Sequence, residues 1–213
     1  MELDTGFRPS KDGFGFPNTW KDTLLGVVSS RGRCGGMVFA ALDAFLSEEP
    51  LGAEARAREL PPYDSPLAQA IWRRQVESVA AGAGLNLLEF ARYTYLPADS
   101  ALGIGVATRQ ELLVLFDMLR SGRPAPLGMV SGVTLKHLAR NHQVLAYAAD
   151  FAEGHVTVRI YDPNHPLRDD VTLLVQLDPA QPVVEHIGQR VRVWRGFFIE
   201  RYTPKPPMED GRA

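Results

Sequence analysis

Cysteine is nearly missing from this chain of 213 residues, where Cys34 is the only one. One thiol forms no internal disulfide and builds no thiolate-based zinc site, so Cys34 is either buried ballast or a reactive group. An excess of one charge is missing too. Lys and Arg number 23 against 25 Asp and Glu, and no run of like charges offers the footprint of a nucleic-acid or membrane-surface partner, so neither is expected. No apolar run approaches the roughly 20 residues that span a bilayer. The opening MELDTGFRPSKDGFGFPNTW lacks the basic flank and apolar core of a secretory signal. The chain therefore reads as soluble and cytoplasmic, and no internal repeat or long low-complexity tract interrupts it.

What is present divides into two halves of different period, within a length and an apolar share (45%) that suit one domain with its own core. From Gly35 to about Leu46 the residues are apolar on nearly every side, with Asp43 the sole charge, as in a helix buried all round. The segment SPLAQAIWRRQVESVAAG starts on Ser65 with Pro66 at the first helical position, carries Leu67, Ile71, Trp72 and Val76 on one face, and is expected to stop at Gly82. LNLLEFARYTYL predicts a further short helix. ATRQELLVLFDMLRSG predicts another, with a capping box from Thr108 to Glu111, a stripe of Leu112, Leu115, Phe116 and Leu119, and a terminal Gly122. After RPAP the pattern alternates, and five strands are expected up to RVRVWRGFFIERY. The expected class is α+β: a helical lobe over about 1–123, an antiparallel sheet lobe over about 124–203, and a loose tail over 204–213.

Cys34 stands at the start of the buried helix, where unpaired N–H groups place partial positive charge beside a sulfur and favour its thiolate. Gly35 and Gly36 follow, each costing about 1 kcal/mol against alanine in a helix. Their bare backbone would let a substrate carbonyl approach. Buried cysteines and helix-starting glycines are also common in ordinary cores.

A thiolate nucleophile needs a base, and the histidines are His137, His142, His155, His165 and His186. His142 opens the strand NHQVLAYAAD, at a sheet end from which a side chain can face the other lobe. His155 opens the return strand beside the turn FAEG, at the far end of the same hairpin. His165 lies in the loop DPNHP, from which it could reach a site from outside. If the hairpin folds about Ala152, His142 faces Asp162, which would hold one ring nitrogen while the other meets the sulfur. Asn164 takes that role if the register slips. Asp-Pro-Asn is also ordinary turn chemistry.

In RCGGMVFAALDAF, NHQVLAYA and VRIYDPNHP, and in the order Cys, His, Asp, the chain resembles the papain-like cysteine peptidase superfamily, and among its members the bacterial enzymes that trim double-glycine leader peptides. The resemblance implies a nucleophile helix packed on an antiparallel sheet and a thiol protease that hydrolyses a peptide or related acyl bond. Cys34 would be the nucleophile, His142 the general base and acid, and Asp162 the orienting group. A peptide or protein would be the substrate, and no metal or organic cofactor is required. Such enzymes place a glutamine about six residues before the cysteine to bind the oxyanion, and here that position is Val28. Ser29, Ser30, Asn18 or the Cys34 N–H would have to substitute. Trp20 and the strand WRGFFIERY are candidates to line the cleft. Three other readings stay open: an inactive papain-like binding module, acyl transfer by the same triad, and, last, a metal site from Cys34, His142, Asp162 and His137 or His165.

Overall fold

The computed structural model describes residues 1–24, 28–98, 100–134 and 140–208, without the side chains of 23–24, 28–31 and 81–84. In the first half lie β1 (Glu2–Asp4), α1 (Pro9–Asp12), the hairpin β2 (Lys21–Leu24) and β3 (Val28–Arg31), then α2 (Cys34–Leu46), α3 (Ala53–Arg56), α4 (Pro66–Tyr95) and α5 (Ile104–Arg120). The second half is strand: β4 (Ala125–Val130), β5 (His142–Ala152), β6 (His155–Tyr161), β7 (Val171–Gln176), β8 (Val183–Ile187), β9 (Arg190–Trp194) and β10 (Gly196–Ile199). Helices are followed by an antiparallel sheet, with two exceptions: the first half also holds the two-stranded hairpin β2–β3, and β1 joins the main sheet. β1 pairs antiparallel with the outer part of β5, Glu2 opposite Asp150, so the first residues belong to the sheet.

The sheet runs β10-β4-β5-β6-β7-β8-β9. Its two outermost strands, β9 and β10, are consecutive in sequence and separated by Arg195 alone, so the sheet must curl to bring its edges together at that end. The result is a half-barrel. One face gathers Leu127, Met129, Val144, Ala146, Val158, Ile160, Trp194 and Phe197 against Leu112, Leu115 and Leu119 of α5. The opposite face, through Leu145, Tyr147, Ala148 and Tyr161, receives α2 and the aromatic residues Phe7, Phe14, Phe16 and Trp20. β5 is thus covered on both sides, which explains why His142 to Ala149 are all buried instead of alternating. A register shift between Ala146 and Ala148 sends Tyr147 and Ala148 to the α2 side and returns Ala149 to the α5 side.

Three sequence expectations change. The helix that was to stop at Gly82 continues as a single 30-residue α4. Ser65 caps it by accepting from the Ala68 N–H at 3.1 Å, with Pro66 at its first position, as expected. Past the glycines, Asn86 fastens it to the end of the sheet by accepting from the Arg201 N–H at 2.9 Å and donating to the Arg201 carbonyl at 3.1 Å. The Thr108–Glu111 pair is not a capping box, because α5 begins at Ile104. Thr108 is buried and accepts from the Phe197 N–H at 3.2 Å, while Glu111 accepts from the Ile199 N–H at 3.1 Å, so the pair docks α5 on β10.

The tail is the third. Residues 204–208, expected to be loose, are tied to the helices, and 209–213 lie outside the described residues. Tyr202 lies over the Phe39 ring at 3.8 Å and donates to Asp43 at 2.7 Å, and the Lys205 N–H donates to the same carboxylate at 2.9 Å. Arg74 of α4 pairs with Asp43 at 2.9 Å and donates to the Pro206 carbonyl at 2.9 Å. Asp43, the one charge in the apolar helix, is thereby the anchor for this strap. Among the described residues, no helix is long and apolar enough to cross a membrane.

Candidate active site

Cys34 opens α2, half-buried, with Arg33 as the residue before the helix. Arg33 is held from several sides. Its guanidinium forms two hydrogen bonds to Asp22 of β2, at 2.8 and 2.9 Å, donates to the Ala68 carbonyl, and lies among the rings of Trp20, Tyr63 and Trp72 at 4.9 to 5.3 Å. Its N–H donates to Asn18 Oδ1. Gly32, one residue earlier, has a φ of +99°, and a Cβ there would strike the Asn18 side chain. Trp20 therefore packs beneath Arg33 and edge-on to Phe16 in the core, and is not a cleft residue.

The two glycines after the sulfur do not open room for a substrate, as the sequence had suggested. A Cβ on Gly35 would lie 2.2 Å from Ser78 Oγ and 2.3 Å from Gln143 Oε1, and one on Gly36 would lie 2.1 Å from the Ile71 carbonyl oxygen. They are bare because α2 crosses α4 at close range. The Gly36 N–H donates to Gln75 Oε1 at 3.1 Å and the Met37 N–H to the Arg33 carbonyl at 3.0 Å. The Cys34 and Gly35 N–H groups have no partner among the described residues and remain with the positive end of the helix.

His142 meets this helix start from the first position of β5. Its Nε2 lies 2.6 Å from Asp162 Oδ1, with both side chains almost fully buried. The Cys34 sulfur is close enough to act on the ring's proton, and with Nε2 taken by Asp162, Nδ1 is the nitrogen left for it. Burial alone would lower the imidazole pKa, yet the facing Asp162 charge and the sulfur hold it well above the ordinary histidine value. Asp162 is likewise opposed by burial, but His142 and the Asn164 N–H, which donates to it at 2.8 Å, keep it below the usual carboxylate value.

The pair meets by a route different from the expected register. The hairpin turns on Glu153–Gly154, with Ala152 opposite His155 and a φ of +81° at Gly154, and the ladder sets Leu145 opposite Tyr161. β6 ends there, so Asp162 reaches the ring from the turn that follows. The Asn164 side-chain amide lies 3.0 Å from the same Nε2, so both expected orienting residues are at the ring. Asn18 ties this turn to the nucleophile helix: its N–H donates to the Pro163 carbonyl at 3.0 Å and its Nδ2 to Asn164 Oδ1 at 3.4 Å. His165 stands behind, 3.9 Å from Asp162 Oδ2.

Trp194 and Glu185 complete the wall. The Trp194 ring is parallel to the imidazole within 13°, centroids 6.2 Å apart, and its Nε1–H donates to Glu185 Oε2 at 2.9 Å. Arg192 covers the indole from outside at 3.8 Å. Burial, with Asp162 nearby, raises the Glu185 carboxyl. His155 is at the distal end of the hairpin, paired with Gln176, and His186 is in β8, so neither joins the site. His137 lies outside the described residues, as do the side chains of Val28, Ser29 and Ser30. Among the described residues, no three His, Cys, Asp or Glu are placed to hold a metal ion.

Sequence reasoning missed the polar group behind the sulfur: Gln75 and Ser78 of α4, Gln143 of β5 and Glu200, all buried. Gln143 was visible only as the neighbour of His142. Gln75 and Ser78 sat inside what read as an apolar helix face, where Val76 proves to be 40% exposed. No family model matches the chain, and no curated protein and no solved structure matches it.

Proposed function

We propose that this chain is a papain-like cysteine hydrolase acting on a peptide or related acyl bond. One observation carries the reading: a single imidazole has Asp162 at 2.6 Å on Nε2, and the only thiol of the chain, at a helix N-terminus, acts on the same ring. Asp162 fixes which nitrogen faces the sulfur and stabilises the ring when it is charged, and a charged ring beside a sulfur favours thiolate.

The reaction follows from these positions. Cys34 Sγ attacks the carbonyl carbon, and the carbonyl oxygen takes up negative charge near the Cys34 N–H, one of the first-turn donors that have no partner among the described residues. His142 Nδ1 gives its proton to the leaving amine. Water then loses a proton to the same nitrogen and attacks the thioester, releasing the acid and the thiol. Asn18, engaged with Arg33 and Asn164, braces the oxyanion side.

Because Cys34 is the only thiol, its alkylation by iodoacetamide has no background. The test is its rate from pH 4 to 10 in wild type and His142→Ala. Fast labelling near pH 6 that disappears in the variant supports the ion pair. A single rise through the ordinary thiol range, near pH 8.5, in both proteins would remove the basis of the proposal.

A further inference from the structure

The acid and base leave one contact of the sulfur unexplained. Gln143 follows His142 in β5 and so leaves the strand on the opposite face. Its Oε1 lies 3.7 Å from Cys34 Sγ, 3.3 Å from Ser78 Oγ and 3.4 Å from Gln75 Nε2. Its Nε2 donates to Glu200 Oε1 at 2.7 Å. Glu200, just beyond β10, is buried, and its second oxygen has no partner among the described residues. The amide is pressed against the backbone of Gly35, where even a methyl group would not fit, so no substrate atom passes between them. Gln143 therefore acts on the sulfur and not on a substrate.

An amide has a donor end and an acceptor end, exchanged by a half-turn about its last torsion. A carboxylate only accepts, so it holds the NH2 group toward itself and leaves the amide oxygen toward Cys34. A carboxylic acid can donate from the oxygen that now lacks a partner, which lets the amide present its NH2 to the sulfur. Ser78, whose hydroxyl donates to the Gln75 carbonyl at 2.8 Å, can then accept from either glutamine. An oxygen beside the sulfur favours S–H, whereas an NH2 favours thiolate.

We propose that Gln143 is the positioning residue of Cys34 and that Glu200 selects which end of its amide meets the sulfur. This rests on the hydrolase reading for its purpose, though not for its geometry. Burial pushes the Glu200 carboxyl up to about 8, within reach of ordinary conditions. Of the elements packed around it, β5 contributes His142, the charged group that acts on Glu200 and draws it down. α2 contributes Cys34, α4 contributes the neutral Gln75 and Ser78, and Asp162 lies beyond the imidazole.

The experiment compares iodoacetamide rates at Cys34 from pH 5 to 10 in wild type, Glu200→Gln, Gln143→Leu, the double variant and His142→Ala. The expected ratio of Glu200→Gln to wild type is near one at pH 6 and rises to roughly tenfold by pH 9. In the Gln143→Leu background the same ratio should stay within about twofold, since no amide is left to turn. A flat ratio with Gln143 present overturns the proposal. So does an equal rise without Gln143, which would mean that Glu200 acts by charge alone. Should Gln143→Leu not fold, the Gln143 side-chain amide resonances decide: they should move with pH around 8 in wild type and stay fixed in Glu200→Gln. If His142→Ala leaves the rates unchanged while the Glu200 step persists, the hydrolase reading fails and the pair stands.

Discussion

His142 and Gln143 are consecutive residues of one strand, and they meet the same sulfur from opposite faces of it. A strand sends neighbouring side chains to opposite sides, so this requires the nucleophile to stand at the strand's end, where both sides are within reach. Cys34 does so because α2 lies against β5 through Leu145, Tyr147 and Ala148.

Removing the charge of Asp162 should release His142 from its elevated pKa. With burial opposing the proton and only the Cys34 sulfur still favouring it, the imidazole of Asp162→Asn is expected to titrate below its wild-type value, toward the ordinary range near 6.5. The check is the pH dependence of the His142 ring resonances in both proteins. An unmoved midpoint would show that Asp162 does not hold the ring charged.

Stability should depend on pH with a sign fixed by three buried groups. Asp162 is lowered, so its contribution is present above about pH 3.9 and is lost as pH falls through its depressed value. His142 is raised, so its contribution is present below about pH 6.5 and is lost as pH rises through its elevated value. Glu200 is also raised, so its contribution is present below the ordinary 4.5 and is lost as pH climbs through about 8. All three contributions are complete together only around pH 4 to 4.5, so maximum stability is expected there, with a decline as pH rises from 4.5 toward about 8. In urea denaturation, Glu200→Gln should match wild type near pH 5 and exceed it at pH 9 by roughly 2–4 kcal/mol.

The two glycines of α2 should respond unequally to alanine. At Gly35 the obstacles are the Ser78 hydroxyl and the Gln143 amide, which can rotate, whereas at Gly36 the obstacle is the Ile71 carbonyl on the backbone of α4. Gly35→Ala is expected to cost about 1–2 kcal/mol and Gly36→Ala about 3 kcal/mol or more, after the gain in helix propensity. Equal midpoints in chemical denaturation would contradict the close crossing of α2 and α4.

Cutting the Asp43 anchor should cost about 2–3 kcal/mol, because Arg74 would lose its buried partner but keep Glu77 at 2.9 Å. Deleting the chain after Arg201 removes Tyr202 and the Lys205 N–H from the same carboxylate. The two changes share partners, so the penalty of Asp43→Ala should be smaller in the shortened chain than in the full one. Additive losses of melting temperature would mean that the strap does not act through Asp43.

The legible parts of this protein were those whose chemistry is local. A cysteine before two glycines and an apolar run marks α2, and Ser65-Pro66 marks the start of α4, since caps and periods are written in neighbouring residues. Asp162 was found through a register that is wrong by two to three positions, because neither the turn on Glu153–Gly154 nor the extra residue at Tyr147 has a compositional mark. The pairing survived because β6 ends before Asp162, leaving its side chain free to turn back. Gln75, Ser78 and Glu200 were not legible, since a polar residue on a helix or at a strand end looks solvated until another element covers it. Thr108 failed for the same reason: its hydrogen-bond partners are on a strand 89 residues away.

The course of the chain has one more consequence. Its first strand, β1, is stitched into the sheet by pairing with β5, while Tyr202 to Met208 cross back to lie on the helices. Each half thus holds a terminal piece of the other, like two clasped hands, and Cys34 and His142 meet where the two halves join. Neither half can be lifted off as an autonomous unit without tearing out a strand or a strap. The meeting of Cys34 and His142 should therefore persist until the whole molecule melts in one cooperative step.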